Sequence, residues 1–146
     1  MSEKRPLPVV ESYRELVVYQ RQRELARRVF ELSKRFPAEE RYALTDQVRR
    51  ASRSIGAQIA EAWAKRGYAR HFVSKLSDAN AEQQETEHWI ATAADCGYLS
   101  PADLQELSTL CAEIGRMLHS MKARAATFCP TSSIIREDAP DEFARD

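Results

Sequence analysis

The chain has 146 residues, 43% of them apolar, and its 22 Lys/Arg balance its 22 Asp/Glu. A single domain of this length buries roughly 70% of its unfolded surface, so folding requires neither disulfides nor a structural metal. Zero net charge argues against nonspecific nucleic-acid binding, but the charges are segregated: residues 1–75 carry 17 Lys/Arg and 9 Asp/Glu, residues 76–146 carry 5 and 13. The simpler reading is that basic and acidic helices lie side by side; the sharper one is a basic face for nucleic acid.

Residues 1–11, "MSEKRPLPVVE", read as an N-terminal extension with two prolines. It has no apolar stretch long enough for a secretory signal, and the nearby "LVVY" is far below the roughly 20 residues that span a bilayer, so a cytoplasmic protein is expected. Cys96, Cys111 and Cys129 are odd in number and lack a C-x-x-C pair. They read as reduced thiols, with Cys96 and Cys111 as small core residues.

Ser12 with Glu15 forms a capping-box pattern that opens a first helix, and Val18, Gln22, Leu25, Val29, Leu32 and Phe36 then recur at steps of three and four. Pro37 ends it. Tyr19, Ala26 and Phe30 widen its apolar face. Thr45 is expected to cap a second helix with the stripe Leu44, Val48, Ala51, Ile55, Ile59 and Ala62. Beside this stripe, Ser52, Gly56 and Ala60 would let another helix approach closely, while Gln47, Ser54, Gln58 and Glu61 form a polar flank. After the basic connection "KRGYAR", the third stripe is Phe72, Leu76, Ala79, Gln83, Thr86, Ile90 and Ala93, ended by Gly97. Ser100 and Pro101 start a fourth helix, with the stripe Leu104, Leu107, Cys111, Ile114, Leu118 and Met121.

Four long stripes joined by short connections predict an all-α fold, an up-down-up-down antiparallel four-helix bundle over residues 12–126. Residues 127–146 lack helical periodicity and are expected as a flexible acidic C-terminal tail.

The third stripe is polar at its centre. Gln83 and Thr86 occupy core positions, and Glu82 and Glu85 flank them. Buried polar groups need partners, and the second helix offers Gln47, Ser54, Gln58 and Glu61. A polar layer that fixes register within the bundle, or meets a neighbouring subunit, is therefore expected.

Catalytic readings of the same stretch are weaker. Glu85 and His88 form an E-x-x-H pair of the kind that ligates di-iron bundles, yet a di-metal site needs a second such pair, and Tyr68 and Arg116 stand three residues before His71 and His119. No nucleophile motif or phosphate-binding glycine loop occurs, so no catalytic residue, metal or cofactor is assigned, and a di-metal carboxylate enzyme is a remote alternative. The remaining chemical signal is a basic belt, Arg49, Arg50, Arg53, Lys65, Arg66 and Arg70, with Trp63, Tyr68 and His71 among it. Arg49, Arg50 and Arg53 are expected on the outward face, where phosphates and unpaired bases could meet them.

Taken together, several segments form a family pattern. "LVVYQ" (16–20), "FPAEE" (36–40), "LTDQVRRA" (44–51), "IAE" (59–61), "EQQETEHW" (82–89) and "GYL" (97–99) follow in order over about residues 12–122. This arrangement resembles the four-helix-bundle family of the 23S rRNA intervening-sequence proteins, related to the accessory variability determinant proteins of retroelements. The resemblance implies an up-and-down bundle, commonly a homopentamer, with no established enzymatic activity, and a scaffold or binding module of unknown biochemical role is expected. It leaves RNA or a nucleic-acid-associated protein as the alternative partner. On that reading Tyr19, Phe30, Trp89, Leu110 and Met117, beside the central stripes, are candidates for the subunit interface.

Overall fold

Ser12 does form the capping box, with Arg14 N–H donating to its Oγ at 3.2 Å and its own N–H donating to Glu15 at 3.3 Å, but the box closes a single 3₁₀ turn, Tyr13–Glu15. The computed structural model describes residues 10–130. The expected features of residues 1–9 and 131–146 lie outside the described residues. Leu16 is extended, and α1 then runs Val17–Ser33. Its stripe Val18, Gln22, Leu25, Val29 and Leu32 is buried. Phe36 lies beyond the helix end and packs its ring against Tyr98, with centroids 5.6 Å apart.

Thr45 stands at the N-cap position of the second helix but does not cap it. Its φ and ψ of −58° and −51° are already helical, its side chain makes no capping bond, and it is buried. Pro37 leads instead into a 3₁₀ turn, Ala38–Glu40, and a wide π-type turn, Arg41–Thr45, which feeds continuously into α2, Asp46–Ala64. The first N–H groups of α2 therefore meet helical carbonyls, and no side-chain cap is required.

Helix α3 spans Ala69–Asp95. Gly97 adopts φ +79°, a backbone region costly for other residues, so that Gly97 N–H donates to Ala94 O at 3.0 Å and Tyr98 N–H to Ala93 O at 2.9 Å. Ser100 then caps α4, Pro101–Ala123, its Oγ accepting from Asp103 N–H at 3.0 Å. A short α5, Ala125–Phe128, follows, and Phe128 stacks on Phe72 with centroids 5.9 Å apart while Cys129 is buried in the core. The packed unit thus extends past residue 126, because two apolar side chains beyond the last periodic stripe find room at the end of the bundle.

No strand occurs among the described residues. Helices α1 and α3 each pack on both α2 and α4, and the α2–α3 contact is the most extensive. Leu25, Ile55, Phe72, Leu76, Ile114 and Leu118 fill the centre. The charge asymmetry of the sequence appears as ion pairs to α4 from α1, Arg21 with Glu113 (2.9 Å) and Arg28 with Glu106 (2.7 Å), and from the turn after α1, Arg35 with Asp103 (3.3 Å). Partner numbers on α4 fall as those on α1 rise.

Candidate functional site

Two helix seams are built on the same device, a glutamine laid over a glycine. At the α1–α2 seam, Gln22 is 3% exposed and its Nε2 donates to Ser52 O at 2.9 Å. Its Oε1 is enclosed without a hydrogen-bond partner and lies against Gly56. The strip Ser52, Gly56 and Ala60 thus admits the amide of Gln22. Outside this contact runs a groove of about 470 Å³, walled by Tyr13, Tyr19, Arg23, Arg27, Phe30 and Arg53 over Gly56, Ala57 and Ala60.

At the α3–α4 seam, Gln83 is 4% exposed and its Oε1 faces Gly115, where a Cβ would sit 3.0 Å away. Gln83 therefore turns toward α4, while the sequence had pointed to partners on α2. The missing side chain at Gly115 leaves room for the amide on that side. A shallow groove of about 760 Å³ beside it includes Glu87, His88, Arg116 and His119. Thr86 is wholly buried and satisfies its hydroxyl within its own helix, donating to Glu82 O at 2.8 Å.

The α2–α3 face carries the remaining polar-layer residues. Glu61 pairs with Lys75 at 3.0 Å. Glu82 is half-buried and Glu85 exposed. Burial, then a hydrogen bond and charge repulsion from Glu85, push the Glu82 carboxyl above its ordinary range. Ser54, Gln58 and Gln47 are half-buried on α2. Gln58 Oε1 is enclosed without a partner, and Gln47 reaches only Tyr42 O, at 3.5 Å.

The basic belt divides. Arg49 does not face outward: its guanidinium donates to Ser33 Oγ at 2.8 Å and lies 4.7 Å from the centroid of the Phe30 ring, because the ring and the end of α1 offer a cation-compatible pocket. Arg66 folds over Trp63, 3.5 Å from the ring centroid, and donates to Trp63 O at 2.9 Å. Arg50, Arg53, Lys65 and Arg70 are exposed, and Tyr68 is 46% exposed with its ring 5.3 Å from His71.

Of the interface candidates, Tyr19, Phe30, Trp89 and Met117 are half-buried. Leu110 is buried within the chain, since its position at the edge of the α4 stripe still falls inside the bundle, and it offers little to a neighbouring subunit. Trp89 has its indole Nε1 enclosed and unpaired.

The family model for the 23S rRNA-intervening sequence protein matches residues 14–120, which takes in α1, α2 and α3 and all but the last three residues of α4. The chain belongs to this family. A similar solved structure is a protein with unknown function from the S23 ribosomal protein family of Bacteroides thetaiotaomicron, 29% identical, with a TM-score of 0.67 over 73% of this chain and 96% of that one. No curated protein matches the chain.

The motifs of this intervening-sequence family member map onto the seams. "EQQETEHW" carries the glutamine laid over Gly115, the buried Thr86 and the unpaired indole. "IAE" carries the acid paired with Lys75. Glu85 and His88 are both exposed, and among the described residues no group of three or more His, Cys, Asp or Glu is arranged to hold a metal ion. Cys111 is buried, but Cys96 is exposed: it is the C-cap of α3 at the Gly97 turn, outside the core stripe. Among the described residues no helix is long and apolar enough to cross a membrane. The sequence reading placed Gln22 in the first stripe and Ser52, Gly56 and Ala60 in a close-approach strip without joining them. The signal was a polar residue at a core position facing a glycine, which also describes Gln83 and Gly115.

Proposed function

We propose that the chain is a non-enzymatic scaffold or binding module that works as a homo-oligomer, most compatible with a pentamer, of up-down-up-down antiparallel bundles. The falling partner numbers along the α1–α4 ion pairs support the antiparallel arrangement. Trp89 carries the assembly reading. A large aromatic is left half-open on the flank of the bundle, and its enclosed indole N–H has no acceptor among the described residues. Buried N–H groups are rarely left unpaired, and aromatics with a polar handle concentrate in interfaces. A closed ring joins two different surfaces of each copy. Trp89 and Met117, on α3 and α4, lie on the face this reading uses, while Tyr19 and Phe30 lie apart from it on the α1–α2 side, where they line a groove. Half-buried Ser54, Gln58 and Glu82 would supply the polar layer beside them. Trp89→Asp should lower the mass measured by light scattering while the far-UV circular dichroism stays helical. An unchanged mass would remove Trp89 from the interface.

A second reading rests on the exposed Tyr68–His71 ring pair among Lys65, Arg66 and Arg70, a stacking platform with phosphate-binding charge beside it. Lys65→Glu with Arg70→Glu should then weaken binding of a single-stranded RNA and flatten its salt dependence. No binding of the unaltered chain at low salt would exclude it.

A further inference from the structure

The arginines of α1 face two different environments. Arg21 and Arg28, with Arg35 just past the helix end, meet carboxylates of α4. Arg23 and Arg27, on the side toward α2, line the α1–α2 groove with Arg53. There the contacts are of another kind: Arg23 donates to the Tyr19 hydroxyl at 3.5 Å, and Arg53 lies 5.6 Å from the Phe30 ring centroid. No acidic side chain lines the groove. Its floor is small and mostly apolar, formed by Ala26, Ala57 and Ala60 with the Gln22 amide over Gly56. Three guanidinium groups over a mostly apolar floor suit an extended peptide that carries both carboxylates and apolar side chains.

We propose that the acidic C-terminal segment of this chain, residues 131–146, docks in this groove. "TSSIIREDAPDEFARD" supplies Glu137, Asp138, Asp141, Glu142 and Asp146 for the arginines, and Ile134, Ile135 and Phe143 for the floor and the rings of Tyr13, Tyr19 and Phe30. The geometry of the chain end allows it. Phe128 stacks on Phe72, one turn of α3 before Lys75, which pairs with Glu61 of α2, and the neighbouring Ala60 lines the groove. The described chain therefore ends near the same end of the bundle as the groove mouth. Sixteen residues reach roughly 50 Å when extended. Two packed helices are only about 20 Å across, so the segment spans the distance with residues to spare. The rings also favour a peptide over single-stranded nucleic acid. Tyr13 and Tyr19 are half-buried and packed edge to face, with centroids 5.0 Å apart at 85°, and do not present open faces for base stacking.

The test uses the full chain and a fluorescein-labelled peptide of residues 131–146, followed by anisotropy. In a Glu137→Lys, Asp138→Lys, Asp141→Lys, Glu142→Lys chain the groove is vacated, and the peptide should bind at least ten-fold more tightly than to the unaltered chain, whose tethered segment competes at high effective concentration. Added salt should weaken it. Arg23→Glu, Arg27→Glu, Arg53→Glu should abolish it, and a peptide with those four acids changed to lysine should bind this groove variant again. Equal affinity for the unaltered and tail-reversed chains, or no measurable binding to either, would overturn the proposal, and that comparison stands even if the arginine variant fails to fold. An RNA 12-mer that binds through the three arginines while the peptide does not would overturn it too, and a groove sealed by a second copy would give the same lack of peptide binding. Light scattering on the same samples reports assembly separately, so failure of tail docking and failure of oligomerisation are distinguishable.

Discussion

Gly56→Ala should destabilise the protein even though it replaces a helix-interior glycine by the best helix former. At an open helical site the exchange gains about 1 kcal/mol. At Gly56 the added Cβ would overlap Gln22 Oε1 and stand only 2.7 Å from Cδ and 3.0 Å from Nε2. Gln22 has little freedom to yield, since it is 3% exposed and anchored to Ser52 O. Rotating it away breaks that bond and strands a buried amide, at about 1–3 kcal/mol. Keeping it in place forces α1 and α2 apart, an overpacking strain of similar size. Set against the propensity gain, the net loss should be up to about 2 kcal/mol. Urea unfolding followed by circular dichroism measures it, with all variants at one protomer concentration because association shifts apparent stability. Gln22→Ala removes the obstacle, so the double variant should recover most of the loss and give a coupling of about 2 kcal/mol. Gly115→Ala is the control: its nearest contact would be 3.0 Å from Gln83 Oε1 at an open groove, where a small shift suffices, and it should be near neutral. A Gly56→Ala chain about 1 kcal/mol more stable than the original, with no coupling to Gln22, would refute the reasoning.

Burial, with the charge of Glu87, pushes the Cys111 thiol up to about 12 from its ordinary 9.0. The folded state keeps the proton while the unfolded chain releases it, so the stability advantage is full below pH 9 and declines above it by about 1.4 kcal/mol per pH unit. Urea midpoints from pH 8 to 10 should show that decline, and Cys111→Ala should flatten it. Glu82→Gln should stabilise the chain at pH 7 by a few tenths of a kcal/mol by removing a partly buried charge and its repulsion from Glu85, an effect kept small by solvent. Because the folded-state carboxyl is raised, the difference should vanish once acid protonates Glu82 in both states. Arg28→Ala removes a two-pronged contact to Glu106, 2.7 and 3.0 Å, between partly exposed groups, and should cost at most about 1 kcal/mol, less in 1 M salt.

The helices were legible because periodicity is a local property. Val18 to Leu32, Phe72 to Ala93 and Leu107 to Met121 recur at helical steps whatever they pack against, and Gly97 and Ser100 carry their turn chemistry in their identity. Pairings across helices were harder to read. Gln83 suggested a partner on α2 because that helix is rich in polar residues, but the amide went to Gly115, where the absence of a side chain left space. Arg49 has the spacing of an outward residue, yet a ring and a hydroxyl at the end of α1 drew it inward. Thr45 has cap chemistry, and the preceding turns made a cap unnecessary. In each case the outcome depended on a neighbour distant in sequence, which periodicity does not encode.

The claim that this bundle works as an assembly is tested most directly by the mass of the unaltered chain in light scattering at micromolar concentration. The account predicts an oligomer, and a pentamer gives a single species at about five times the 16.7 kDa chain mass. A species at the mass of one chain would contradict it.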